Sequence, residues 1–370
     1  MKGAGFSLVL TVSLGMMLPS FAQALEPPRS SYEEPGSVII FPKFMKGTVV
    51  VDGATRAQTE IQVRAQCPNG ASCRTAEPVK LRFNWICPGT EGVLLKSVCR
   101  ESEFEVELPV DGKTSFNPED PGLGANNIGS IAPCPRGYLI GWVISPVTGR
   151  PVKFDALSGS ALLTDGDGSI RSYQAFSIPA DPNLATRAEI ATDIDPRTGT
   201  PGLVFDGGAG HYQVVAGAFP ATLEYHKLTA PLSSGQAFLI LLTLDVRANR
   251  PNYPTFVDLD YLADQGTRAS TSWNFTCWRE IQNPNIDTNF TLVGARIPNG
   301  VVLSGRAIKA PIAGVSDIPG PVVLLGLVPN DEGHGGARMD PAYIIKGSDS
   351  SKPTTVFLPF DSHASAAALR

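Results

Sequence analysis

Histidine is scarce in this chain. There are four among 370 residues, His211, His226, His334 and His363. None lies within a strand step or a helical turn of another or of a cysteine, so the sequence writes no local metal cluster. Runs of like charge are missing as well. The 30 basic and 35 acidic residues are scattered, and no basic run carries interleaved aromatics, which argues against a nucleic-acid partner. Past the first two dozen residues the most apolar stretches, 237–244 and 322–328, are far too short to cross a bilayer and suit strands buried on both faces. Helical periodicity is almost absent, with room for a turn or two at 184–190 and 261–267.

Reaction motifs are also lacking. No Gly-x-Ser-x-Gly elbow occurs, and Ser158-Gly159-Ser160 has strand pattern on both sides. His-Glu-x-x-His, the P-loop and the dinucleotide glycine fingerprint are absent, and Gly122-x-Gly124 lacks its third glycine. The sequence therefore leans away from an enzyme.

What is present begins with an export signal. Met1-Lys2 gives a short positive region, residues 6–18 an apolar one, and Ala22-Gln23-Ala24 a small-x-small cleavage pattern. Residues 1–24 read as a signal peptide and 25–35 as a loose leader, which places the mature chain in the periplasm or outside the cell. About 345 residues then remain, enough for two domains at roughly 150 each.

Six cysteines follow: Cys67, Cys73, Cys87, Cys99, Cys134 and Cys277. An even number in an exported chain favours disulfides. Cys67 and Cys73 bracket the turn sequence Pro68-Asn69-Gly70 and form the first expected pair. Cys87 with Cys99, clasping a long hairpin, is the second. Cys134 with Cys277 is what remains. No histidine or second close cysteine pair completes a zinc knuckle around Cys67 and Cys73.

The strand signal is strongest at 79–87, where Val79, Leu81, Phe83, Trp85 and Cys87 alternate with Lys80, Arg82, Asn84 and Ile86. That period of two predicts one buried and one mostly wet face, with residues 93–99 returning beside it. Phe104, Val106 and Leu108 alternate with glutamates, and Asp111-Gly112 is a hairpin-type turn. Residues 137–144 read as a central strand. Residues 37–44 read as a first strand, in which Pro42 argues for an edge position or a strand end. Further strands are expected at 48–51, 59–63, 153–157, 160–163 and 173–178.

Strands at this spacing, punctuated by glycine and proline, predict an all-β chain of two Ig-like β-sandwich units. The first spans 36–178 and the second 203–328. Residues 179–202 form a linker or long loop, and 329–370 a C-terminal segment with one strand at 354–358. Phe83-Asn84-Trp85-Ile86-Cys87 echoes Trp273-Asn274-Phe275-Thr276-Cys277. Duplication of one sandwich would explain the echo, and so would the general likeness of aromatic-rich strands.

Four short motifs carry a resemblance: Gly36 to Pro42, Leu81 to Cys87, Gly137 to Ile144 and Phe154 to Gly159. In these, residues 36–178 resemble an uncharacterised group of exported bacterial β-rich proteins. The resemblance implies export and β architecture and assigns no functional residue.

Candidate sites are few. Asp165-Gly166-Asp167-Gly168-Ser169 opens like a calcium loop, with Asp165 and Asp167 as candidate metal ligands, but the twelfth position is Phe176 where an EF-hand has glutamate. Solvated aspartates in a hairpin turn are the plainer account. Asp193 with Asp195, and Asp258 with Asp260, are spaced to share a strand face, as calcium ligands or a glycosidase pair would. Trp273, Phe275 and Cys277 share one face and Trp278 takes the other, so an aromatic platform for sugar is conceivable beside plain core packing. His334, in a glycine-rich loop, is the histidine to inspect as a ligand. Asn274 and Asn289 match a glycosylation pattern that means little in a bacterial chain.

The expectation is an exported binding or structural protein of the bacterial envelope or extracellular space. No cofactor is expected, calcium aside, and the partner would be an envelope protein or a polysaccharide. Alternatives are a carbohydrate-binding or calcium-dependent adhesin module, a glycosidase with carboxylates assembled by the fold, and an edge strand at 37–44 that accepts a donor strand.

Overall fold

The computed structural model describes residues 34–51, 53–68, 77–89, 97–119, 131–164, 170–194, 201–213, 218–223, 238–244, 246, 251–252, 254–263, 268–282, 301–308, 322–327 and 354–356. They are nearly all β, in antiparallel sheets. The expected signal peptide, Cys73, Asp165, Asp167, Asp195, Asn289, His226, His334 and His363 lie outside them.

In chain order the first strands are β1 (Val38–Met45), β2 (Thr48–Val51), β3 (Ala54–Ala57), β4 (Thr59–Ala65), β5 (Val79–Ile86) and β6 (Ser97–Val98). Then come β7 (Glu101–Leu108), β8 (Lys113–Phe116), β9 (Arg136–Ile144), β10 (Leu157–Thr164), β11 (Ile170–Gln174) and β12 (Phe176–Ile178). A five-stranded sheet runs β12-β1-β9-β5-β7, and a four-stranded sheet β11-β10-β4-β8. They form a sandwich. Phe83, Trp85 and Phe104 from the first sheet meet Phe116 from the second, with ring centroids 5.4, 6.3 and 5.5 Å from it. Such pairs add about 0.5–1.5 kcal/mol each beyond their buried area. Gly141 lets this cluster close, since a Cβ there would lie 2.3 Å from the Phe83 ring.

The two sheets bury their strands differently. β4 alternates between buried and wetter positions, as a strand with one wet face should. In β5 the supposed wet face is covered instead. Arg82 is 8% exposed, Asn84 1% and Ile86 0%. Arg82 is held among Glu103 and Glu105 of β7, while a third layer from the second half of the chain covers part of the outer side of this sheet, over β1 and β9. Ile86 on the polar-looking face was the one sequence sign of it.

The second half holds β13 (Thr192–Ile194), β14 (Pro201–Phe205), β15 (Ala218–Leu223), β16 (Phe238–Thr243), β17 (Pro251–Asn252) and β18 (Thr255–Ala263). β19 (Arg268–Phe275), β20 (Trp278–Gln282), β21 (Val301–Ile308), β22 (Val322–Leu327) and β23 (Thr354–Val356) complete it. The sheet β20-β16-β22 lies over the outer face of the first sandwich, where the Tyr138 hydroxyl donates to the Thr243 carbonyl at 2.9 Å. A separate sheet runs β15-β21-β18-β19, and β23 brings residues 354–356 beside β14.

Several expectations change. β1 is interior, between β12 and β9, so it is no free acceptor edge for a donor strand. Pro42 is accommodated because β12 pairs only Val38–Ile40, and the pairing with β9 bulges between Phe41 and Phe44. Residues 97–98 pair with β17, and β7 is the strand beside β5. Asp111-Gly112 is a turn, with Asp111 at φ 62°, but it carries the chain from one sheet to the other and closes no hairpin. Residues 153–156 form no strand. Residues 184–190 form turns with no helix, and Lys153 and Ile190 amides bond the carbonyls of Ala188 and Pro151 there. The echoing segments differ in place: β5 is interior to its sheet and β19 is at an edge.

Candidate functional site

Sheet parity decides the cysteine pairing. Ile86 pairs with Glu101, and the Cys87 amide donates to the Arg100 carbonyl at 2.9 Å. Cys87 therefore stands opposite Arg100 and points inward with Trp85, whereas Cys99 points outward with Glu101. The two cannot clasp a hairpin. Cys87 bonds Cys134, at the entrance to β9, with Cα atoms 6.0 Å apart. Cys99 bonds Cys277 across the seam to the second half, with Cα atoms 6.3 Å apart. The expected Cys87–Cys99 and Cys134–Cys277 pairs are both replaced. Cys67 is disulfide-bonded too.

At Cys277 the run from Trp273 to Trp278 is not one strand but breaks in two. The residue has φ 66°, and the Trp278 amide bonds the Thr276 carbonyl at 2.8 Å, a tight three-residue turn. The chain thereby leaves β19 in one sheet and enters β20 in another. This turn sends Trp278 into the seam, where its Nε1 donates to the Pro42 carbonyl at 2.7 Å. Phe275 and Trp278 are buried, and the half-buried Trp273 lies under the Arg279 guanidinium at 4.8 Å. Core packing is what most of these rings do, not an open platform.

The bulge in β1 is the docking point. Pro42 receives Trp278, and the Tyr173 hydroxyl, reaching across the sandwich from β11, donates to the Lys43 carbonyl. Burial drives the Tyr173 hydroxyl far above its ordinary pKa, so it stays a donor. The buried Lys43 ammonium then pairs with Glu280 on β20 at 2.9 Å.

Nearby on the same outer face lies a polar patch. Arg82 bonds Glu103 at 3.1 Å and Glu105 at 2.8 Å. Burial pulls Glu105 upward, but hydrogen bonds from Lys80 and Arg82 and their charges hold it below the usual carboxylate range. Glu101 has no such help. Burial, then the Glu103 charge, pushes it up to about 8. Its Oε2, both amide atoms of Asn84 and Trp142 Nε1 are buried without hydrogen-bond partners.

A second polar knot ties the 179–213 stretch to the first sandwich. Asp155 accepts from Ser37 at 2.5 Å and from the Ala180 amide at 2.7 Å, while Lys153 donates to the Asp181 carbonyl at 2.7 Å. The Gly210 and Asn183 amides hold Asp181 below the usual carboxylate range. His211 Nδ1 sits 2.7 Å from Asp206. Asp155, Lys153 and Asp181 each hold a backbone group of this stretch, which makes the knot a clamp.

The remaining expected carboxylates act locally. Asp193 accepts from the Ile194 amide at 2.8 Å and Asp258 from Ser272 at 2.6 Å. Among the described residues no group of three or more histidine, cysteine, aspartate or glutamate side chains is placed to hold a metal ion. No helix among them is long and apolar enough to cross a membrane.

Lys43, Glu280 and Trp278 were not foreseen as a seam. Proline followed by lysine inside an apolar strand was the one available signal, pointing to a bulge but not to its partner. The fold defines a disulfide-tied, all-β protein in which one sheet is buried on both sides. No protein-family model, curated protein or solved structure matches the chain.

Proposed function

We propose that the chain is an exported binding or structural protein of the bacterial cell envelope or extracellular space. The observation that carries the reading is the Cys99–Cys277 bridge, which spans 178 residues and ties the two halves across a buried seam. Such bonds persist where thiols are not kept reduced. Cys87–Cys134 adds a second bridge within the first half. The small-x-small pattern at Ala22-Gln23-Ala24 and the resemblance over residues 36–178 support the same compartment. The Trp278 bond to Pro42 and the knot of Lys153, Asp155 and Asp181 clamp the fold together, which supports a scaffold or binding role, with an envelope protein or polysaccharide as partner.

Fractionation of the native host tests the reading. Protein outside the cytoplasm, starting at Leu25 and resistant to thiol alkylation until reduced, is the expected result. Cytoplasmic protein that retains Met1 and alkylates freely would end the proposal.

A further inference from the structure

The outer face of the four-stranded sheet meets water: Glu60, Arg64, Lys113 and Leu162 are all exposed there. Register sets its side chains in rows across the strands. Gln174, Ser160, Gln62 and Ser115 stand side by side on β11, β10, β4 and β8, at the roughly 4.8 Å spacing of neighbouring strands. In the next row Ser158 neighbours Arg64, and Arg64 stands directly opposite Lys113.

Like charges directly opposite one another destabilise a sheet. Among the described residues no carboxylate pairs with either cation. Asp111, just before β8, accepts from the Cys67 amide at 3.1 Å. Glu60 lies at the other end of β4, about 13 Å from Arg64 at the rise of an extended chain. Ser158 Oγ accepts from Gln66 Nε2 at 3.2 Å, which leaves its own proton to donate beside the cations. Two unpaired cations and a hydroxyl donor converge on an anion from outside the chain.

We propose that this face binds an acidic polysaccharide. Arg64 and Lys113 grip a sugar carboxylate, and the uncharged amide and hydroxyl row alongside meets the sugar hydroxyls. A protein partner suits the face less well. Leu162 is the one apolar side chain in these rows, whereas protein interfaces centre on a buried apolar core with aromatic anchors. The inference rests on the binding role proposed above and names the class of partner.

Calorimetric titration of the purified mature chain with polygalacturonate, at low and high salt and with dextran as the neutral control, tests this. It reads binding alone, so it fails or succeeds independently of where fractionation finds the chain. The expected result is binding to polygalacturonate that weakens as salt rises, with none to dextran. Arg64→Gln and Lys113→Gln should each weaken it about tenfold. Arg56→Gln, on the exposed strand β3, should leave it unchanged. No binding, equal binding to dextran, or an equal loss in Arg56→Gln overturns the proposal. Both face residues are exposed, so circular dichroism of their variants should overlay the wild type; if one variant misfolds, the other and the salt and dextran arms decide.

Discussion

Glu101→Gln isolates the cost of keeping a carboxyl in the seam. Glu101 follows Cys99 by two residues on the outward face of β7, its Oε2 is buried without a partner, and its pKa is pushed up to about 8 from 4.5. Arg82 is already committed to Glu103 and Glu105. Between pH 4.5 and 8 the folded chain holds a proton that the unfolded chain has released. Stability from this group is therefore full below pH 4.5 and is lost as pH rises through 8. At about 1.4 kcal/mol per pKa unit the full shift corresponds to about 5 kcal/mol, and partial solvation of the carboxyl reduces it to about 3. Glutamine keeps the shape and removes the titration. Urea denaturation of the oxidised protein from pH 5 to 9 should show matching stabilities at the acid end. At the alkaline end the variant should be more stable by about 3 kcal/mol. Parallel curves for the two proteins would refute the assignment of Glu101 as a buried, uncompensated acid.

Three further outcomes follow from the packing. Replacing both Cys99 and Cys277 by serine should cost about 5 kcal/mol in urea denaturation, against about 4 for Cys87 and Cys134, since loop-closure entropy grows with the 178- and 47-residue separations; equal losses would contradict the chain-entropy account. Gly141→Ala drives a methyl into the Phe83 ring and should cost about 1–3 kcal/mol by the same assay, whereas a neutral result would show the aromatic cluster to be loosely packed. Trp278→Phe keeps one aromatic ring but removes the donor to Pro42 and part of the indole's buried volume, for a loss of about 2–3 kcal/mol in thermal or urea unfolding; an unchanged midpoint would show that Trp278 does not dock the seam.

The two-residue rhythm of 59–63 and 103–108, and the apolar run of 137–144, determined the cores of strands β4, β7 and β9 without help from the rest of the chain, because side-chain direction in a strand is fixed by backbone geometry. The same rhythm in β5 was legible as a strand but misleading about its surroundings. Alternation tells which residues share a face, and whether that face meets water depends on what packs on it. Pro42 signalled a break in pairing, yet only the short β12 and the β1 bulge decided that the strand is interior. Cysteine spacing could not yield the pairing either, since the inward Cys87 and outward Cys99 are separated by sheet parity and find partners 47 and 178 residues away. The chain's local chemistry thus set its class, a disulfide-bonded β protein. The seam of Lys43, Glu280, Trp278 and Pro42 was decided by tertiary structure alone, because its members lie more than two hundred residues apart and nothing local to either end encodes the other.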